Sequence, residues 1–275
     1  MENTMTGQKV ALVTGVSSGI GEATALALAR DGYRVFGTVR SADAVVPAGV
    51  ERVVLDVRNE ASIAAGIASV LSRAGRIDAL VNNAGATIVG AIEETDTAQA
   101  QALFDVNFFG AARVTCAVLP TMRAQRSGRV IFVSSVLGFV PAPFMGFYAA
   151  SKHALEGYSE SLDHEVRALG IRAILVEPSY MRTKFDKNAT LAGRTIGDYS
   201  EARQRVGARL NANLESGGDP ALVAETIAAA ISARRPKLRY PVGKGAGMLA
   251  KLRSFVPAGR FDSALRKEFG LEGAR

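Results

Sequence analysis

The chain has 275 residues, 48% of them hydrophobic and 21% charged, with a formal net charge of +7. Its one cysteine, Cys116, excludes an intrachain disulfide framework and points to a reducing compartment, expected to be the cytoplasm; two histidines beside it leave little from which to build a zinc site. No apolar run approaches the roughly 18 residues of a membrane span, and Met1 to Val10 lacks the layout of a signal peptide. The charge is localised: residues 1–233 hold 22 basic against 23 acidic side chains, whereas residues 234–275 hold 11 against 3. A uniformly basic surface is therefore absent, and no nucleic-acid partner is expected.

Short runs rich in Val, Ile and Leu alternate with stretches of helical period. In chain order the predicted strands are Val10 to Thr14, Arg34 to Val39, Arg52 to Leu55, Ala79 to Asn82, Val130 to Ser134, Arg172 to Val176 and Leu238 to Tyr240. Predicted helices lie between them at Ile20 to Arg30, Ala61 to Ala74, Ala100 to Arg126, Tyr148 to Leu169 and Pro220 to Arg234. This alternation predicts an α/β fold, a Rossmann-type doubly wound parallel sheet of about seven strands with helices on both faces. Ligands of such a fold sit beyond the carboxyl ends of the strands.

The first strand runs into Thr14-Gly15-Val16-Ser17-Ser18-Gly19-Ile20-Gly21 and then into a helical pattern. Glycines there let the backbone approach a pyrophosphate, and the free N–H groups of the helix that follows stabilise its charge. The second strand ends Thr38-Val39-Arg40, with no acid until Asp43. A carboxylate at that point would bond the ribose 2′-hydroxyl of NAD, whereas the Arg40 fork suits the 2′-phosphate of NADP. NADP(H) is therefore preferred, with NAD(H) as the other option.

Tyr148 and Lys152 stand four residues apart on a predicted helix, so the ammonium and phenol share one face and the charge can lower a phenol pKa from its usual value of about 10. Tyr240 and Lys244 repeat the spacing, but Pro241 and Gly243 oppose a helix there, and Tyr240 reads as a strand end.

In these residues the chain resembles the short-chain dehydrogenase/reductase family over about Lys9 to Thr183, in the style of bacterial relatives of 17-beta-hydroxysteroid dehydrogenases and of retinol or aldehyde reductases. The glycine turn matches T-G-x-x-x-G-x-G and Asn82-Asn83-Ala84-Gly85 matches N-N-A-G. Ser135 lies 13 residues before Tyr148, and Asn107 lies 28 before Ser135. Glu177-Pro178-Ser179 and Thr183 resemble P-G-x-x-x-T, with Ser in place of Gly. The resemblance implies that Tyr148 exchanges a proton with the substrate oxygen, Lys152 lowers the Tyr pKa and holds the nicotinamide ribose, Ser135 bonds the substrate oxygen, and Asn107 holds a proton-relaying water. It also implies cofactor contacts at Gly15, Ser17, Ser18, Gly19, Ile20, Gly21, Arg40, Asp56, Val57, Asn83, Ala84, Gly85, Pro178 and Thr183, and a homodimer or homotetramer formed through the Tyr148 helix and the one before it. No metal is expected. Ser134 reads as a strand-end neighbour, His153 and His164 as surface residues, and Cys116 as a small apolar filler in a helix.

Phe139, Val140, Pro141, Pro143, Phe144, Met145 and Phe147 flank Tyr148, and Tyr180, Met181 and Phe185 follow the sixth strand. An apolar pocket of this kind suits a ketone, long-chain aldehyde or steroid-like alcohol. Competing readings are a 3-oxoacyl-[acyl-carrier-protein] reductase and a non-catalytic NADP(H)-sensing regulator. The expected organisation is one catalytic domain, residues 1–241, with a mobile polar lid over about 184–218, then a basic extension over 242–275. In that extension Met248, Leu249, Leu252, Phe255 and Val256 form one helical stripe and Phe261, Leu265 and Phe269 another. Such stripes dock on the enzyme or a sister subunit, or make a peripheral contact with an anionic membrane.

Overall fold

A computed structural model describes residues 7–183, 185 and 189–271. Lys184 and residues 186–188 of the predicted lid, and residues 272–275 of the extension, lie outside the described residues. Seven strands form one parallel sheet: β1 (Val10–Thr14), β2 (Arg34–Val39), β3 (Val50–Val54), β4 (Ala79–Asn82), β6 (Gly128–Val133), β7 (Ile171–Pro178) and β9 (Arg239–Val242), in the order β3-β2-β1-β4-β6-β7-β9. A two-stranded parallel pair, β5 (Ile88–Val89) with β8 (Thr190–Leu191), stands apart from it. The expected α/β architecture is present, with the strand order reversing between β1 and β4, the point beyond whose carboxyl ends ligands of such folds sit.

Period-two alternation assigns each strand residue to one of two cores. Val10, Leu12 and Phe36 face Ile67 of α2 (Glu60–Ala74), Val118 of α4 (Ala111–Gln125) and Leu155 of α5 (Gly146–Val166). Ala11, Val13 and Val35 face Leu28 of α1 (Gly19–Arg30) and Ile227 of α7 (Pro220–Ser232). Each fully buried Leu, Ile or Phe contributes about 1.5–3 kcal/mol, so both faces resist any one-residue slip of register.

The structure corrects several expectations. The helix predicted over Ala100 to Arg126 is α3 (Thr97–Phe104), a π-helical turn (Asp105–Gly110) and α4. The extra residue of the π turn accompanies close packing of Gly110, where an added Cβ would lie 2.7 Å from Val57 Cγ2. The stretch Thr97–Gln125 has the length of a membrane span and contains an 18-residue window of mean hydropathy 1.4, contrary to the expectation of none. Its packing explains the composition, because Val114, Val118 and Met122 are fully buried against the sheet. Cys116 is exposed on α4, its Sγ 3.9 Å from the Tyr158 hydroxyl, and is no core filler. The polar stretch read as a lid loop contains α6 (Ser200–Glu215), whose Val206 and Leu210 are buried. Beyond β9, the extension forms α8 (Ala246–Phe255) and α9 (Ala258–Glu268).

Candidate active site

The glycine turn is built by close approach. Gly19 has φ +65°, a left-handed conformation that costs other residues strain. Gly21 admits no side chain: a Cβ there would lie 2.2 Å from the Gly15 carbonyl oxygen and 2.4 Å from Asn83 Nδ2. Asn83 Nδ2 donates to the carbonyls of Thr14 (2.9 Å) and Gly15 (3.1 Å), while Thr14 Oγ1 accepts from the amides of Asn83 and Ala84, each at 2.9 Å. The ends of β1 and β4 are thus tied together, and an added Cβ on Gly15 would meet Ala84 Cα at 3.1 Å. Ser17 is exposed, Ile20 is half-buried, and Ser18 begins α1 without a side-chain cap, so the first-turn N–H groups face the crevice with positive partial charge. Thr183 Cβ lies 3.3 Å from where a Gly19 Cβ would stand, placing the segment after β7 and Pro178 over the same turn. Side chains are excluded at Gly15, Gly19 and Gly21 because neighbouring atoms already fill the space they would take, so the backbone of the turn stays bare where it enters α1.

Arg40 is exposed at the end of β2 and its charge reaches Asp56 after β3. Asp56 is held below the usual carboxylate range first by its hydrogen bond from Arg58, at 2.7 Å from Nη2. The Arg58 partnership was not foreseen. Val57 sits buried beneath Gly110.

Tyr148 and Lys152 share α5, Asn107 is tied to that helix through Ser151, and Ser135 stands at the end of β6. Asn107, carried by the π turn and 1% exposed, accepts from the Ala86 amide (2.8 Å) and donates to the Ala86 carbonyl (2.9 Å) and to Ser151 Oγ (3.0 Å). Ser151 Oγ in turn donates to the Tyr148 carbonyl at 2.7 Å. Gly85 packs against Asn107, with a notional Cβ 3.4 Å from Oδ1. Lys152 Nζ is buried, donates to the Val133 carbonyl at 2.9 Å, and lies 5.7 Å from the centre of the Tyr148 ring. Burial lowers the Lys152 pKa to about 8, against an upward pull from Glu156. Ser135 follows β6 and accepts from the Leu137 amide at 3.1 Å. Ser134 instead points into the protein and donates to Glu156 Oε1 at 2.5 Å. Tyr240 lies on β9, its hydroxyl accepting from the Lys237 amide at 3.0 Å, and both histidines are exposed on α5.

The sequence profile of the short chain dehydrogenase family matches residues 9–192. The chain belongs to that family. This short chain dehydrogenase is 35% identical over 261 residues to a 3-ketodihydrosphingosine reductase of Bacteroides thetaiotaomicron, covering 94% of this chain and 97% of that one. It is 34% identical over 276 residues to mouse 17-beta-hydroxysteroid dehydrogenase type 1, covering 91% and 78%. Among solved structures, a short-chain dehydrogenase from Streptomyces avermitilis matches it with a TM-score of 0.82 at 37% identity over 98% of each chain. Enzymes of this family use nicotinamide cofactors on alcohol and carbonyl groups and are commonly oligomeric, and this chain is an oxidoreductase of that kind.

Around Tyr148 lies an apolar cluster that includes Ile88, Met145, Val206, Leu210, Phe185 and Phe269; the Tyr148 and Phe185 rings are 6.1 Å apart. The contribution of α9 through Phe269 was not legible from spacing alone. Glu94, 2% exposed, was also missed. It accepts from the Ile196 amide (2.7 Å) and the Ala91 amide (3.0 Å) and pairs with Arg203. The lid helix is thereby clamped to the segment before α3, with Tyr199 donating to Glu93 at 2.8 Å alongside.

Proposed function

We propose that the protein is an NADP(H)-dependent oxidoreductase that interconverts the carbonyl and alcohol of a hydrophobic substrate. The observation that carries this reading is Lys152 Nζ held 5.7 Å from the Tyr148 ring, with Asn107 tied through Ser151 to the Tyr148 carbonyl and an apolar cluster around Tyr148. A nicotinamide cofactor bound there supplies the hydride-transfer chemistry. The α1 amides and Thr183 hold its pyrophosphate, Asn83, Asp56, Val57 and the Ala84-Gly85 backbone frame the adenosine half, and Arg40 meets a 2′-phosphate. Ser135 Oγ donates to the substrate oxygen, and Tyr148 gives its phenolic proton to that oxygen as charge develops. Lys152 favours the phenolate by its charge, while Asn107 fixes the backbone around Ala86 and, through Ser151, the first turn of α5. Met145, Val206, Leu210 and Phe269 exclude water and favour a ketone, long-chain aldehyde or steroid-like alcohol.

The expected location is the cytoplasm, on the single-cysteine argument. Homo-oligomerisation through α4 and α5 is supported by Phe109, which is 48% exposed next to them. Peripheral contact with an anionic membrane is supported by α8, where Met248 and Phe255 are 65% and 84% exposed beside exposed Lys244 and Lys251, with no acidic residue on the helix.

The test is NADPH oxidation driven by a panel of hydrophobic aldehydes, ketones and steroid ketones, with acetoacetyl-CoA included for the acyl alternative. Tyr148→Phe is expected to lower kcat by about 10²–10⁴-fold with NADPH binding retained; unchanged turnover in that variant would overturn the mechanism. Arg40→Asp is expected to weaken NADPH on the order of ten-fold more than NADH, and an equal effect on both would remove Arg40 from phosphate recognition.

A further inference from the structure

Behind Lys152 lies a cluster of buried charge to which the proposed chemistry assigns no role. Glu156 stands one turn beyond Lys152 on α5, as Lys152 stands one turn beyond Tyr148, so the three share one helical face. Glu156 is 4% exposed; its Oε1 accepts from Ser134 Oγ at 2.5 Å and its Oε2 pairs with Arg239 of β9. Arg239 also pairs with Glu177 of β7 and, at 2.8 Å, with Glu160 of α5. The carboxylate occupies its place to the exclusion of a side chain on the next turn, since a Cβ on Gly138 would lie 2.4 Å from Glu156 Oε1. Ser134, which anchors one carboxylate oxygen, immediately precedes Ser135.

Lys152 needs such a neighbour. Its Nζ is buried and bonds a neutral carbonyl, that of Val133, and a buried ammonium without nearby negative charge is costly. We propose that Glu156 is a positioning residue for Lys152 and Tyr148: anchored by Ser134 and Arg239, its carboxylate is the counter-charge that keeps the buried ammonium in place beside the Tyr148 ring. Titratable and charged groups facing this pair are Tyr148, Glu156 and Glu160 of α5, Glu177 of β7 and Arg239 of β9. Burial, and next the Glu156 carboxylate, pushes Glu177 up to about 7, against the pull of Arg239. Lys152, pulled down to about 8 by burial, is pulled back up by Glu156. Removing that negative charge makes the ammonium lose its proton at lower pH.

Glu156 acts on turnover only if Tyr148 gives up its proton under the charge of Lys152 as proposed, so two readouts are needed. The first is a ¹³C-lysine NMR titration of the full chain without cofactor, with the Lys152 signal assigned by its disappearance in Lys152→Met. The midpoint in Glu156→Gln is expected at least about one pH unit below that of the parent. The second is the pH profile of NADPH-dependent reduction, whose alkaline limb in Glu156→Gln is expected to move toward acid by a similar amount. A merely structural brace would lower activity equally at all pH values. Ser134→Ala, a small change that deletes one anchor, is expected to shift both readouts in the same direction but less, and it decides the matter if Glu156→Gln does not fold. An unmoved Lys152 midpoint overturns the role of Glu156 whatever the activity. A moved midpoint in a protein that reduces no carbonyl, or that keeps its activity in Tyr148→Phe, supports the charge pairing and overturns the proposed function instead.

Discussion

The two walls of the crevice are built over different distances. The glycine-turn wall is made where strand ends meet helix starts: Gly15, Gly21, Thr14 and Asn83 interlock within β1, α1 and the end of β4. The lid wall is made by side chains far apart in sequence, with Glu94 clamping Ile196 and Arg203, Arg209 pairing with Glu268 at 2.8 Å, and Phe269 packed with Val206 and Leu210. One wall therefore tolerates almost no change of volume, while the other is held by a few replaceable ties. The same contrast divides the basic extension, since Phe269 of the α9 end is buried whereas Phe255 of α8 stands in solvent.

Substitutions can break that contrast, beginning with the strongest. Gly21→Ala is expected to destabilise the fold by about 3 kcal/mol, the upper range for overpacking, because the carbonyl it meets belongs to the backbone. Dinucleotide affinity should fall at least about ten-fold with it. A melting temperature and a fluorescence titration matching the parent would show that the turn has slack. Phe269→Ala is expected to remove about 2 kcal/mol of burial and to expose α9 to limited proteolysis with little change in NADPH affinity; weakened NADPH binding would mean that the walls are coupled. Glu94→Gln keeps the shape of the clamp but weakens its charge pairing with Arg203. Cleavage within residues 189–218 should become on the order of ten-fold faster, with a higher KM for substrate and an unchanged Kd for NADPH, and a resistant lid would show the clamp to be redundant. Phe255→Ala, at the small end, is expected to alter stability by no more than about 0.5 kcal/mol while reducing co-sedimentation with anionic vesicles. A large loss of stability there would show that the exposed face of α8 is covered by another copy of the chain.

The legibility of the site followed the same division. The glycine spacing, the Tyr148 and Lys152 pair and the position of Ser135 could be read because each rests on fixed offsets within one strand, turn or helix. Boundaries at strand ends were less legible, since β3 begins at Val50 and β9 runs on to Val242 through pairing with neighbours that the local pattern does not encode. Glu156 had a signal, a carboxylate one turn after Lys152, but its partners Arg239 and Glu177 come from two other strands. Glu94 carried no signal at all, because an acid at the start of a helical segment usually faces water.

What the sequence determined by itself was the parallel α/β sheet, the tight glycine turn between β1 and α1 and the shared face of Tyr148 and Lys152, because backbone conformation and helical periodicity act over a few residues. Only the tertiary structure decided that the long apolar helix is broken by a π turn that delivers Asn107, that the polar stretch after β7 holds a helix clamped by Glu94, and that Phe269 of the basic extension is buried with Val206 and Leu210 while Phe255 faces solvent. Those outcomes depend on which distant side chains fill a given volume and neutralise a given buried charge, and neither is set until the chain has closed on itself.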